Sequence, residues 1–334
     1  MRVDYVDGFR GLTLLIMVFI QIYDSLAYSS IYTDPPFFIE AIHTVTPLPP
    51  SILFSFVTGM SVYLMIKNKL KKDTKANVIR KVLWTYGKYL LISIPFTTFM
   101  WGFSTYLEWN EAIQGIGLSA MITALIILCW KPKDYELLLS IPLLTITRHF
   151  LLLIQPLGEL FPYHPPLNNI SLMLGSVFVN ALYRGWFSVY NLLPLMFAGV
   201  LFYKATRKMR VNKLLLISSI ILIASLVINF TVMPIDYYGK NMSLTLYGIG
   251  ACMVTFSLIL MAYNKKKGFT KALTIAGLSS LFLYLSHNLL LLKWVYLFAN
   301  NSLPEWLALT LSFPLTYAFY WLAKNRLKKK ELLN

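Results

Sequence analysis

Apolar runs of about twenty residues, separated by short clusters of charge, recur from one end of the chain to the other. A run of that length matches the hydrocarbon core of a bilayer. Lipid offers no partners to backbone N–H and C=O groups, so such runs must fold as helices. Ten can be drawn, near 9–28, 51–66, 82–102, 112–130, 135–154, 188–203, 213–233, 241–263, 272–298 and 304–323. Composition agrees: 57% of residues are apolar and only 13% charged, against roughly a quarter charged in soluble domains. The sequence predicts an all-α polytopic membrane protein of about ten transmembrane helices, forming a single domain over residues 1–334. The first run lacks a small-residue cleavage site, so it is read as a mature span and not as a signal peptide.

The net charge of +16 would by itself suit nucleic acid or an anionic surface. Its placement points to the bilayer as partner and away from nucleic acid. Basic residues gather in alternate connections: Lys67, Lys69, Lys71, Lys72 and Lys75; Lys204, Arg207, Lys208 and Arg210; Lys265, Lys266 and Lys267; and the tail from Lys324 to Lys330. The intervening connections carry Asp34, Glu40, Glu108, Glu111, Glu159, Asp236 and Glu305. The positive-inside pattern predicts a multi-pass protein of the cell membrane with both termini cytoplasmic. The two longest connections, 29–50 and 155–187, then face outside and are rich in Pro and aromatic residues. Such composition argues against disorder and predicts re-entrant or lid segments over a cavity that opens outward. Segment 168–183 is apolar but short and reads as an interfacial or half-helix. Ser51, Ser55 and Gly59 recur every four residues and predict a face for close helix packing. Cys129 and Cys252 both lie in apolar runs, so neither a disulfide framework nor a metal site is expected.

Polar residues inside the spans are costly, and they face the bundle interior or a cavity. His287 sits in Ser286-His287-Asn288 within the ninth run, and helical spacing places Ser280, Tyr284 and His287 on one face. It reads equally as an interhelical hydrogen bond or as a catalytic or ligand-binding group. Gln21 is a neutral amide in the first span, able to bond a helix or a substrate. His43, ahead of the Pro47-Leu48-Pro49-Pro50 segment, carries the side chain best suited to take a proton near neutral pH. His164 lies in an outer loop, and His149 follows Arg148 in the fifth span, where a polar contact between helices is the simpler reading. At the start of the first span, Asp7 and Arg10 stand three apart and can pair on one face. Arg10 is then a membrane-interface anchor or, through its forked guanidinium, a phosphate clamp. Arg148 and Lys88 are further candidate cofactor contacts, although Lys88 can equally snorkel to the cytoplasmic surface.

Taken together, these residues resemble a known family. Arg2-Val3-Asp4-Tyr5-Val6-Asp7-Gly8-Phe9-Arg10-Gly11-Leu12, continuing to Phe19-Ile20-Gln21, is similar to the opening span of the heparan-α-glucosaminide N-acetyltransferase family, a branch of the transmembrane acyltransferases. His43 matches in order the histidine of the loop that follows. Phe56-Val57-Thr58-Gly59, Ala112-Ile113-Gln114-Gly115, Leu193-Pro194-Leu195-Met196-Phe197-Ala198-Gly199 and Tyr284-Leu285-Ser286-His287 fit further motifs in the right order. Gln21 stands where many relatives carry His or Asn. The resemblance implies transfer of an acetyl or similar acyl group from cytoplasmic acetyl-CoA, or another acyl-CoA, to an acceptor outside, an amino sugar or glycan. It implies His43 as general base, with Gln21 and His287 orienting the thioester or its oxyanion. An acyl-His intermediate remains open beside direct transfer, and a homodimer is compatible with the sequence. A transporter or flippase for a small or lipid-linked substrate would share the spans and midplane polar residues. The Asp7–Arg10 pair, the two histidines and the lack of a visible repeat favour the acyltransferase.

Overall fold

The structure, a computed structural model, describes residues 3–26, 50–109, 111–153, 162–164, 168–231, 242–265, 267–292 and 303–332. His43, with residues 29–49 of the first long outer connection and 155–161 and 165–167 of the second, lies outside the described residues. Helix dominates what is described, as the apolar runs require: α1 (Asp4–Leu26), α2 (Pro50–Lys69), α3 (Lys75–Trp101), the short α4 (Phe103–Leu107), α5 (Ala112–Leu125), α6 (Asp134–Leu153), α7 (Ile170–Val179), α8 (Val189–Thr206), α9 (Val211–Thr231), α10 (Met242–Lys265), α11 (Lys267–Leu278), α12 (Ser280–His287) and α13 (Glu305–Leu332). π-Helical turns extend α5 over Ile126–Trp130, α7 over Asn180–Arg184 and α12 over Asn288–Leu292.

Local chemistry sets the helix ends. Asp4 and Asp7 occupy the first turn of α1, where carboxylates complement the positive end of the helix dipole. The Thr74 side chain caps α3, and Asn169 caps α7 by accepting from the Leu172 N–H at 3.1 Å. α3 stops at Gly102, whose φ of 95° suits a residue without a side chain.

Eight helical stretches among the described residues are long and apolar enough to cross a membrane, and nine if one bent pair counts as a span. The expected span 82–102 is not among them: it falls on α3, which is 27 residues long, and Lys88 with its Trp and Tyr neighbours makes that helix less apolar. The ninth expected run, 272–298, is not one straight helix. α11 and α12 meet at 72°, because Gly277, Ser279 and Ser280 weaken the backbone ladder at that point. α7 with its π turn is separated from α8 by a short break at residues 185–188, yet residues 170–206 together form one apolar stretch long enough to cross a membrane, where a separate half-helix was expected over 168–183.

The chain divides into two compact units. The first comprises 55–254. Its interior holds α8 against α5 and α6, with α3 packed on α5. Gly59 of α2 presses on the backbone of Met196, and Gly199 of α8 presses on that of Phe56, so each glycine lets the partner helix in. Gly59 thus performs the close packing expected of its face. The second unit comprises 2–54 and 255–334, and α1 is its axis. α1 packs most extensively on α11 and also touches α12 and α13. A Cβ at Gly11 would collide with the Leu273 carbonyl, and one at Gly277 with the Asp7 carbonyl. The two backbones are therefore in direct contact. Around them Leu14, Val18, Ile22, Ala276, Leu283, Ala308, Phe319 and Ala323 form an apolar core.

Candidate functional site

Inside that core lies a small polar network. His287 ends α12, fully buried, and Asn288 opens the π-helical turn behind it, 2% exposed. π-Turns interrupt helices at functional positions more often than elsewhere. Gln21, on the facing side of α1, is half-buried. The His287 Nδ1–H donates to the Leu283 carbonyl at 2.7 Å, one helical turn back. The Asn288 amide nitrogen donates to the Tyr284 carbonyl at 2.7 Å, which fixes its orientation, and also lies 3.2 Å from His287 Nε2. Nε2 therefore accepts, and the imidazole is the neutral Nδ1–H tautomer. The Gln21 amide approaches the same Nε2 at 2.5 Å. The atom placed there is Gln21 Oε1; half a turn about the last side-chain torsion exchanges it with the amide nitrogen, and the Nδ1–H tautomer calls for the nitrogen to face Nε2. The Tyr284 and Phe319 rings meet the imidazole edge-on at 5.9 and 6.3 Å and close it off.

The chemistry available follows from this arrangement. A neutral imidazole holds one lone pair toward two amides in an apolar shell, a pre-oriented acceptor with donors already beside it. When a substrate oxygen displaces Nε2 as their partner, the same amide N–H groups can bind developing negative charge.

At the start of α1, Arg10 Nη1 meets Asp7 Oδ1 at 2.9 Å, the pairing expected from their spacing. Tyr263 covers Gly8 and donates to the Thr270 carbonyl at 2.9 Å, with the Thr274 hydroxyl as a second close partner. The mouth of the unit is thus a fitted arrangement in which no side chain could replace Gly8 or Gly11 without moving its neighbour.

The other expected contacts lie elsewhere. Lys88 is exposed on α3, its ammonium 4.6 Å from the centre of the Trp84 ring, the placement of a snorkelling side chain. Arg148 of α6 is 7% exposed and donates from Nε to the Tyr183 carbonyl at 3.1 Å. His149 is half-buried against the edge of Phe150, and exposed His164 meets Glu108 at 2.8 Å. The structure therefore brings Gln21 and His287 together, pairs Arg10 with Asp7, and sets Lys88 on an exposed helix face. Asn288 completes the network and is not singled out by sequence reasoning. Its one available signal is adjacency to His287 in a span, where a second amide is expensive. Among the described residues no group of three His, Cys, Asp or Glu side chains is placed to hold a metal ion.

Comparison with known proteins matches residues 2–160 to the catalytic region of heparan-alpha-glucosaminide N-acetyltransferase, a little under half of the chain. The match covers Arg10, Gln21 and His43 and stops before His287. No curated protein matches the chain.

Proposed function

We propose, for a chain whose residues 2–160 belong to the heparan-α-glucosaminide N-acetyltransferase-like family, that it moves an acetyl or similar acyl group from cytoplasmic acetyl-CoA to an acceptor outside. The acetyltransferase-type catalytic region and the multi-pass helical fold are the ground on which this reading stands. The observation that carries it to particular residues is the Gln21–His287–Asn288 network, since a buried imidazole held by amides is a costly feature with chemical use. The alternating basic segments support cytoplasmic termini in the cell membrane, and both compact units are read as parts of one acyltransferase domain.

In this mechanism the acceptor is an amino sugar or glycan. Its amine or hydroxyl attacks the thioester carbonyl while His43 takes the proton. The oxyanion so formed collapses by breaking the C–S bond, and coenzyme A leaves as a thiolate that recovers the proton from His43. Gln21, with its amide freed from Nε2, and His287 orient the thioester and its oxyanion. Arg10 serves the anionic donor as a phosphate contact, and basic cytoplasmic segments raise its local concentration.

Calorimetry of acetyl-CoA with the purified protein tests the donor assignment. Saturable binding that weakens in Arg10→Ala and persists in His43→Ala is expected. A folded protein that binds no acyl-CoA overturns it.

A further inference from the structure

The first unit gathers Lys204, Arg207, Lys208, Arg210 and Lys213 where α8 gives way to α9. Part of this cluster is held by the fold. Lys204 Nζ meets Asp134 Oδ1 of α6 at 2.6 Å and lies 5.2 Å from the centre of the Tyr63 ring. Lys208 Nζ reaches the other Asp134 oxygen at 3.8 Å. Arg207 donates from Nε and Nη2 to the Tyr203 hydroxyl at 3.1 and 2.9 Å. One carboxylate thus faces two ammonium groups, and positive charge is left over. Arg210 and Lys213 are exposed and form no ion pair among the described residues. Nor do they serve α9, whose first turn holds no acidic residue: cations there crowd the positive end of the helix dipole.

Below the cations runs an apolar stripe. Lys213, Leu216, Ile220, Ile223, Val227 and Phe230 follow at three- and four-residue spacing, so they share one face of α9. The apolar members are each more than half exposed, whereas Leu214, Ser218 and Ser225 on the other side are buried. α9 is long and apolar enough to cross a membrane, so acyl chains cover the stripe and headgroups lie at its Lys213 end. Trp130 and Tyr135, 76% and 55% exposed, stand in the chain on either side of Asp134. Such residues collect at the membrane interface and mark that level.

Cations at headgroup level above an exposed apolar stripe match the two parts of a phospholipid. The surplus charge selects among phospholipids: a zwitterionic headgroup brings a cation of its own, whereas an anionic one brings only negative charge. A soluble phosphate compound would match the cations and leave the stripe unused. We infer that the α8–α9 turn binds an anionic phospholipid, its phosphate at Arg210 and Lys213 and an acyl chain along Leu216, Ile220, Ile223 and Val227. The site lies wholly in the first unit and does not depend on the acyl-transfer reading.

The test is lipid binding to the full-length protein in detergent, followed by native mass spectrometry. Phosphatidylglycerol and phosphatidylcholine with the same acyl chains are compared, and acetyl-CoA is titrated in parallel. The parent should bind phosphatidylglycerol about tenfold more tightly, at the strength of basic side chains near an anionic surface. Arg210→Gln with Lys213→Gln removes no ion pair, so the fold survives, and should abolish most of that preference. Lys71→Gln with Lys72→Gln, the same loss of charge on another exposed connection, should change it less than about twofold. Short-chain phosphatidylglycerol should bind about tenfold more weakly than the long-chain form, because the stripe stays uncovered. Equal binding of the two headgroups by the parent, equal binding of the two chain lengths, or an Arg210/Lys213 variant that keeps the parent's preference overturns the inference. So does a variant that loses acetyl-CoA affinity and keeps phosphatidylglycerol, which would mark the turn as a site for a soluble anion. Acetyl-CoA binding by the parent tests the acyl-transfer reading separately, whichever lipid result is found.

Discussion

The α1–α11–α12 core of one unit and the 106–115/180–191 junction of the other bury polar side chains in opposite ways. Around His287 the polar atoms have partners: the ring gives its proton to Leu283, receives from Asn288 and meets the Gln21 amide. Around Asn180 and Gln114 the amide nitrogens are used and the oxygens are not. A satisfied network stabilises and orients its members, and removing one leaves the others exposed to a desolvation cost. An unsatisfied set carries the desolvation cost of its unpaired atoms in the resting fold. The comparison separates polar side chains that the fold pairs from polar side chains that it buries with atoms unpaired.

Substitutions can break that contrast. The largest effect is expected in the satisfied unit at the helix crossing. Gly11→Val drives a side chain into the Leu273 carbonyl and should cost about 3 kcal/mol through overpacking, read as a fall in thermal unfolding temperature. Asn288→Leu removes the donor to both Tyr284 and His287 and should cost about 2 kcal/mol by the same measurement. A double-mutant cycle on Gln21→Leu and His287→Leu should give a coupling of about 1 kcal/mol, in the range of hydrogen bonds between membrane helices; a coupling of zero would mean the two side chains do not bond. In the unsatisfied junction, Trp109→Phe should change stability by less than about 0.5 kcal/mol, because its N–H has no partner to lose. Lys88→Ala, on an exposed face, should have the smallest effect of all.

Much of the fold was legible in the sequence because the bilayer reduces the choice of structure to helices, and their length shows as apolar runs. The Asp7–Arg10 pair and the packing of Gly59 were readable for a related reason: both follow from three- and four-residue spacing within a single helix. The break between Leu278 and Ser280 was not read, although Gly277 and two serines mark it. The same residues are tolerated in straight helices, and here the crossing of α1 decides. Gln21 and His287 stand 266 residues apart, and no periodicity links them; only motif order placed them in one list. Asn288 and the junction oxygens escaped because a lone amide in an apolar run gives no sign of which of its atoms will be paired.

Acetyl transfer itself is the most direct test of the account. Labelled acetyl-CoA is supplied to the protein in liposomes with an amino-sugar acceptor, and the parent is compared with His43→Ala and Gln21→Leu. The account predicts label on the acceptor with the parent, about a hundredfold less with His43→Ala as a general base is lost, and an intermediate loss with Gln21→Leu. Folded parent protein that transfers no acyl group from any acyl-CoA to any amine or hydroxyl acceptor would contradict it.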